Sequence, residues 1–364
     1  MTNAAVGLAA YQEAIMPTIR RIKKVLKSRP TLEGAGVHLK RAFGFHHVPE
    51  LDPFLLLDDF HSSNPDDYLP GFPWHPHRGI ETITYVLHGK VEHGDSMGNK
   101  GIISSGDVQW MTAGSGIIHQ EMPKGQADGL MWGFQLWANL PASHKMMEPR
   151  YREVKSHQIP EVKVGGGAAS GAAPSLDAAS EPAASPGAVS RPTVSAGAVS
   201  KGAGAARKGS ASSTVVKVIC GTVEGVRGPV RDIVTDPEYL DVVVPPKGSF
   251  THRIHRGYTA FAYVVEGSGQ FEPDGDPFSY EAEGRNWYDF KRERAIGPES
   301  VVIFEDGEEV SMSAGHERLR FLLISGKPIG EPVAWWGPIV MNTQEELRIA
   351  FDEYERGTFL KHGR

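Results

Sequence analysis

The 364-residue sequence predicts an all-β protein, two β-barrels in tandem followed by a short C-terminal helix. That prediction rests on three observations. Short runs rich in β-branched and aromatic residues recur along the chain between Gly, Pro, Asn or Asp, the pattern of sandwiches and barrels. An internal repeat aligns "HRGIETITYVLHG" from His77 with "HRGYTAFAYVVEG" from His255, and the spacing of 178 residues holds again between Gly89 and Gly267. Between the copies lies a Gly/Ala/Ser-rich stretch with no aromatic residue.

Residues 1–33 read as an N-terminal extension, in which the mildly apolar "AAVGLAAY" precedes the basic "RRIKKVLKSR". That order is the reverse of a secretory signal. A basic leader of this kind is compatible with an organelle transit peptide; a solvated extension ending in a first strand is the simpler reading. The first barrel, residues 34–162, contains "ETITYVLHGKVEH", which alternates and turns at His88-Gly89, then "GDVQWMTAG" and "LMWGFQLW". Residues 163–214 read as a disordered linker, because a segment so poor in large apolar side chains cannot offset its chain entropy. The second barrel, residues 215–335, contains "LDVVVPP", "AFAYVVEGSGQF", "SVVIFED" and "LRFLLISG". In the tail, residues 336–364, Thr343 and Glu346 form a capping box. Leu347, Ala350, Phe351 and Tyr354 make an apolar stripe, and Gly357 supplies the stop.

Hydrophobic residues make up 40% and charged residues 23%, enough for folded cores over most of the length. The net charge of −6 argues against direct DNA binding through bulk electrostatics. No apolar run is long enough to span a bilayer. The single cysteine, Cys220, rules out an intrachain disulfide and suits a reducing compartment. A cytoplasmic location is expected, with nucleus or organelle as the eukaryotic alternatives.

The chemistry is concentrated in two short motifs. In "WHPHRG", His75 and His77 are two apart at the entrance to a strand and so project from one face. In "TAGSGIIHQEMP", His119 and Glu121 repeat that spacing. A lone strand histidine is ordinarily a hydrogen-bonded structural residue, but two such pairs on neighbouring strands would converge as three imidazoles and one carboxylate. That set suits one Fe, Mn, Ni or Cu ion with positions left open, and the lack of cysteine argues against structural zinc. His88 and His93 read as turn and strand-surface residues, not ligands. In the second copy His77 maps to His255, His75 to Arg253, His119 to Met312 and Glu121 to Ala314. Three of the four positions are lost, so one barrel is expected to hold metal and the other to act as scaffold or partner surface.

"LDPFLLLDDF", "FPWHPHRGIETITYVL", "GDVQWMTAGSGIIHQEMP", "FQLWANLP" and "GPIVMNTQEEL", in that order, resemble the pirin family from about Gly34 to the C-terminus. The resemblance implies two barrels of the cupin superfamily, with iron, Fe(II) or Fe(III), held in the first by His75, His77, His119 and Glu121. It implies one of two activities. The first is a quercetin 2,3-dioxygenase that opens a flavonol with O2 and releases carbon monoxide, with Glu121 relaying the 3-hydroxyl proton. The second is an iron- and redox-dependent regulator, a transcription cofactor or a protein partner of a metabolic enzyme. A metal-loaded cupin acting on another aromatic or enolic metabolite is a third reading. The N-terminal leader and the long linker depart from the family pattern without touching the ligands.

Overall fold

The computed structural model describes residues 17–165, 213–283 and 293–361. In chain order the first-half strands are β1 Ile22–Lys27, β2 Arg29–Glu33, β3 Val37–Phe43, β4 Phe54–Ser62, β5 Phe72–His77, β6 Ile80–His88, β7 Lys90–Asp95, β8 Lys100–Ser104, β9 Val108–Thr112, β10 Ile117–Lys124, β11 Met131–Asn139, β12 Arg150–Val154 and β13 Glu161–Val164. The second half has β14 Thr214–Cys220, β15 Thr222–Val223, β16 Val226–Arg227, β17 Glu238–Val244, β18 Ser249–Arg253, β19 Thr259–Glu266, β20 Gly269–Gln270, β21 Glu281–Ala282, β22 Ser300–Phe304, β23 Glu309–Ala314, β24 Leu319–Gly326, β25 Ala334–Trp336 and β26 Ile339–Met341. Helix α1, Gln344–Glu355, carries the expected capping box between Thr343 and Glu346 and is followed by Gly357 at φ +68. Its Leu347 and Ala350 are buried, whereas Tyr354 is largely exposed.

Each half pairs a large sheet with a small one. In the first, β12-β9-β6-β11-β4-β3-β2 faces β5-β10-β7-β8; in the second, β13-β14-β17-β24-β19-β22-β1-β21 faces β18-β23-β20. The two-residue period of a strand then sorts the side chains. On β6, Ile83 and Tyr85 point away from the first barrel into a core shared with Phe261, Tyr263, Leu322 and Ile324 of the second. Thr84, between them, points inward to the cavity of its own barrel. The shared core is closed by a reciprocal pair of buried hydrogen bonds. Tyr85 Oη donates to Asp241 Oδ2 and Tyr263 Oη donates to Asp59 Oδ2, both at 2.7 Å. Tyr85 and Tyr263 are counterparts in the 178-residue repeat, so the two barrels meet about a local pseudo-twofold.

Two expected boundaries differ from the structure. The extension read over 1–33 does end in strand, as expected, but β1 lies inside the second barrel's sheet, antiparallel to β22, and residues 1–16 are outside those described. Its basic appearance hides a strand buried over most of its length: Ile22, Val25 and Leu26 are buried, and so is Lys24, which pairs with Glu283. Arg20, also buried, donates to the carbonyls of His255, Tyr258 and Glu305. The linker reading falls mostly on residues outside those described, and its edges are strand. Val164 in β13 pairs with Thr214 in β14, so the two ends of that segment stand side by side. The chain has therefore already joined the second barrel's sheet before the Gly/Ala/Ser stretch begins.

Candidate metal centre

Strand β5 enters the first barrel beside β10, with His75 opposite His119 and His77 opposite Ile117. One ring nitrogen from each of His75, His77 and His119 lies within 4.8 Å of the other two. His75 Nδ1 is 2.9 Å from the carbonyl of Pro73, and His77 Nδ1 is 3.0 Å from that of Pro338. A carbonyl only accepts, so both Nδ1 atoms carry the proton. Both Nε2 atoms are then lone-pair acceptors, yet they face each other at 3.0 Å. Two acceptors hold that distance comfortably around a shared cation, a metal ion or a proton. Two nitrogens each about 2.1 Å from one metal, at right angles, stand about 3 Å apart. His119, fully buried, has no hydrogen-bond partner on either ring nitrogen among the described residues. Burial and the neighbouring His75 hold His77 well below the usual histidine range, and burial with His77 and His75 does the same for His119. Neutral imidazoles are the form that ligates. The donor set fits a transition-metal ion.

Glu121 is not within the three-imidazole group. A register shift between His119 and Glu121 sets it opposite Phe72. Its carboxylate lines the same cavity, with Oε1 2.9 Å from Thr84 Oγ1 and Oε2 accepting from Gln135 Nε2 at 3.4 Å. Thr84 and Gln135 were not singled out from sequence. The available signal was polar residues on the inward face of strands whose outward face is aliphatic. The cavity above these groups has a volume of about 630 Å³, and Phe45, Phe72, Trp137, Trp335 and Trp336 are among its walls.

Two of those tryptophans come from the far end of the chain. After the second barrel, β25, β26 and α1 cross back over the first, and the Pro338 carbonyl on His77 belongs to this strap. Two buried cations hold it. Arg78 donates to the carbonyl of Phe359, pairs with Glu353 at 2.8 Å and lies 4.2 Å over the Phe359 ring. Lys145 donates to Gly79 O, Asn139 Oδ1 and Val340 O, and burial pulls its ammonium down to about 7. Gly79 must be glycine, since its φ is +78 and a Cβ there would stand 1.9 Å from Val340 O.

His88 sits near its turn, paired with Asp128. His93 corrects the strand-surface reading: it is buried behind His119. The signal was present in "HGD", a third pair two apart. The second barrel also corrects the mapping of His75. There Phe250, not Arg253, stands opposite Met312. Five residues separate β18 from β19 where two separate β5 from β6, which shifts the register by three. The same shift makes His252 the counterpart of His77: it stands opposite Val310 as His77 stands opposite Ile117, with Nε2 2.9 Å from Glu238 Oε2, whereas His255, the counterpart expected from the repeat, is an exposed turn residue.

The fold and the site together define a two-domain cupin with a metal-type histidine cluster in the first domain. The chain belongs to the pirin family: residues 36–138 match the Pirin domain and residues 239–360 the Pirin C-terminal cupin domain. It is 36% identical over 343 residues to a pirin-like protein of Caulobacter vibrioides, covering 94% of this chain and 99% of that one. It is 36% identical over 348 residues to Pirin-1 of Arabidopsis thaliana, covering 95% and 96%. The crystal structure of a quercetin 2,3-dioxygenase from Acinetobacter baumannii superposes with a TM-score of 0.70 at 26% identity, covering 94% of this chain and 98% of that one.

Proposed function

We propose that this protein is a metal-dependent dioxygenase of the quercetinase type, opening flavonols with O2 at an ion, iron foremost, held by His75, His77, His119 and Glu121. The observation that carries the proposal is the pair of facing Nε2 acceptors at the base of an aromatic-walled cavity. When bound, a transition metal would supply open positions for a flavonol oxygen and for O2. The chain's own residues do the rest. Phe72, Trp137 and Trp335 offer flat apolar faces to a planar polycyclic substrate. Glu121, oriented by Thr84 and Gln135, is placed to take a substrate hydroxyl proton. The relationship to the A. baumannii dioxygenase supports the same reaction. Buried Cys220 supports a reducing, cytoplasmic setting. No helix among the described residues is long and apolar enough to cross a membrane.

A regulatory reading, in which the ion's state alters a protein-binding surface, is favoured by one feature. The strap that touches His77 through Pro338 also carries Trp336, which is 72% exposed at the cavity mouth. One experiment separates the two. Iron, manganese, nickel and copper forms, at matched occupancy, are assayed for loss of flavonol absorbance and for CO release in air. Turnover by at least one form is the expected result. Metal-loaded protein inert in all four forms would leave the regulator standing.

A further inference from the structure

His93, on β7, is a fourth histidine beside the cluster and is itself buried, its ring centroid 5.6 Å from that of His119 and stacked at 4.8 Å on Tyr151. Its Nε2 lies 3.3 Å from Asp95 Oδ2, and its Nδ1 lies 3.2 Å from Gln109 Nε2. These contacts have a fixed polarity. A carboxylate only accepts, so His93 Nε2 carries the proton and Nδ1 is an acceptor. The Gln109 amide must then turn its NH2 toward His93, which leaves Gln109 Oε1 as an acceptor. That oxygen is buried without a partner among the described residues, and so are Tyr151 Oη and both ring nitrogens of His119. Asp95 is itself fixed, accepting from the backbone N–H groups of Met97 and Asn99 at 2.9 Å each and from Asn99 Nδ2 at 2.8 Å.

We propose, on the metal-centre reading above, that Asp95, His93 and Gln109 form a positioning relay for His119. Gln109 Oε1 accepts from the outer N–H of His119 across one water, and so fixes the tautomer that offers the other nitrogen to the metal. Buried ligand histidines characteristically need such an acceptor. The second barrel supplies an independent argument. Phe271 stands 178 residues on from His93, packed on Phe321 at 5.5 Å, and Val302 occupies the counterpart of Gln109 in the paired strand. The barrel that lacks the ligands lacks the relay as well.

Co2+ titration with visible spectroscopy tests the relay in the full-length chain. His93→Phe and Gln109→Val import the second barrel's own residues and should keep the metal-free melting temperature near that of wild type. Each should bind Co2+ about 10–100-fold more weakly and shift its d–d bands, while His93→Gln, which keeps an acceptor toward Gln109 and a donor toward Asp95, stays within about threefold of wild type. The double variant His93→Phe/Gln109→Val should be no weaker than the weaker single, as expected of groups acting in series. Should His93→Phe fail to fold, Gln109→Val decides alone. Wild type and both variants binding Co2+ with equal affinity and identical spectra would overturn the relay and leave the metal centre intact. Wild-type protein that takes up no Co2+ would overturn both.

Discussion

The two barrels share one strand plan and differ in what they enclose. Ile83 opposite Trp110 in the first corresponds to Phe261 opposite Ile303 in the second, and Tyr85 opposite Val108 to Tyr263 opposite Val301. Those outward residues match in character because both sets face the shared interface. The inward residues, His77 and its counterpart His252 apart, do not. Thr84 is replaced by Ala262, Gln109 by Val302, Gln135 by Leu323, and the facing pair His75/His119 by Phe250/Met312. The second interior is a continuous apolar core. The first keeps buried polar atoms, His119 Nδ1 and Nε2 and Gln109 Oε1 among them, without partners among the described residues, an arrangement that costs about 1–3 kcal/mol per group unless something binds there. One barrel is thus packed for stability, and the other is held open by it.

The largest expected effect breaks this contrast from the first barrel's side. His119→Ala should lower metal content from about one ion per chain to near none and abolish flavonol turnover, with the far-UV circular dichroism unchanged. Full metal retention, measured by elemental analysis, would remove His119 from the ligand set. Glu121→Gln should keep part of the metal but lose flavonol turnover by a factor on the order of a hundred, because an amide cannot take the substrate proton. Equal CO release by wild type and variant at matched occupancy would eliminate the relay role of Glu121.

A smaller effect sharpens the contrast from the second barrel. Met312→His introduces an imidazole into an apolar cluster, and should destabilise the protein by about 2–3 kcal/mol in urea titration without adding a second ion. A gain of metal there would mean that the second interior is not closed. The smallest effect concerns the Gly/Ala/Ser segment. Excising Gly166 to Ser212 and joining Gly165 to Ser213 through two Gly/Ser residues closes a hairpin that β13 and β14 already form, and should leave the melting temperature within a degree or two. Loss of soluble protein would show that the segment packs.

The sequence by itself determined the architecture and singled out His75, His77 and His119, the three histidines that the fold brings together. Alternation in "ETITYVLH" and "FAYVV", the 178-residue repeat, and the paired histidines are local properties, set by the two-residue strand period that any short window displays. Only the tertiary structure decided where long-range pairing placed things. It assigned β1 and β13 to the second barrel's sheet, because strand partners are chosen by buried faces that can lie far apart in the chain, as Ile22 and Phe304 do. It returned the C-terminal strap to His77 through Pro338, and it buried His93 behind His119. It also moved the counterpart of His75 from Arg253 to Phe250, through a turn three residues longer than its equivalent. A strand's period tells which side chains share a face. Which face meets which depends on loop lengths and packing that the period does not encode.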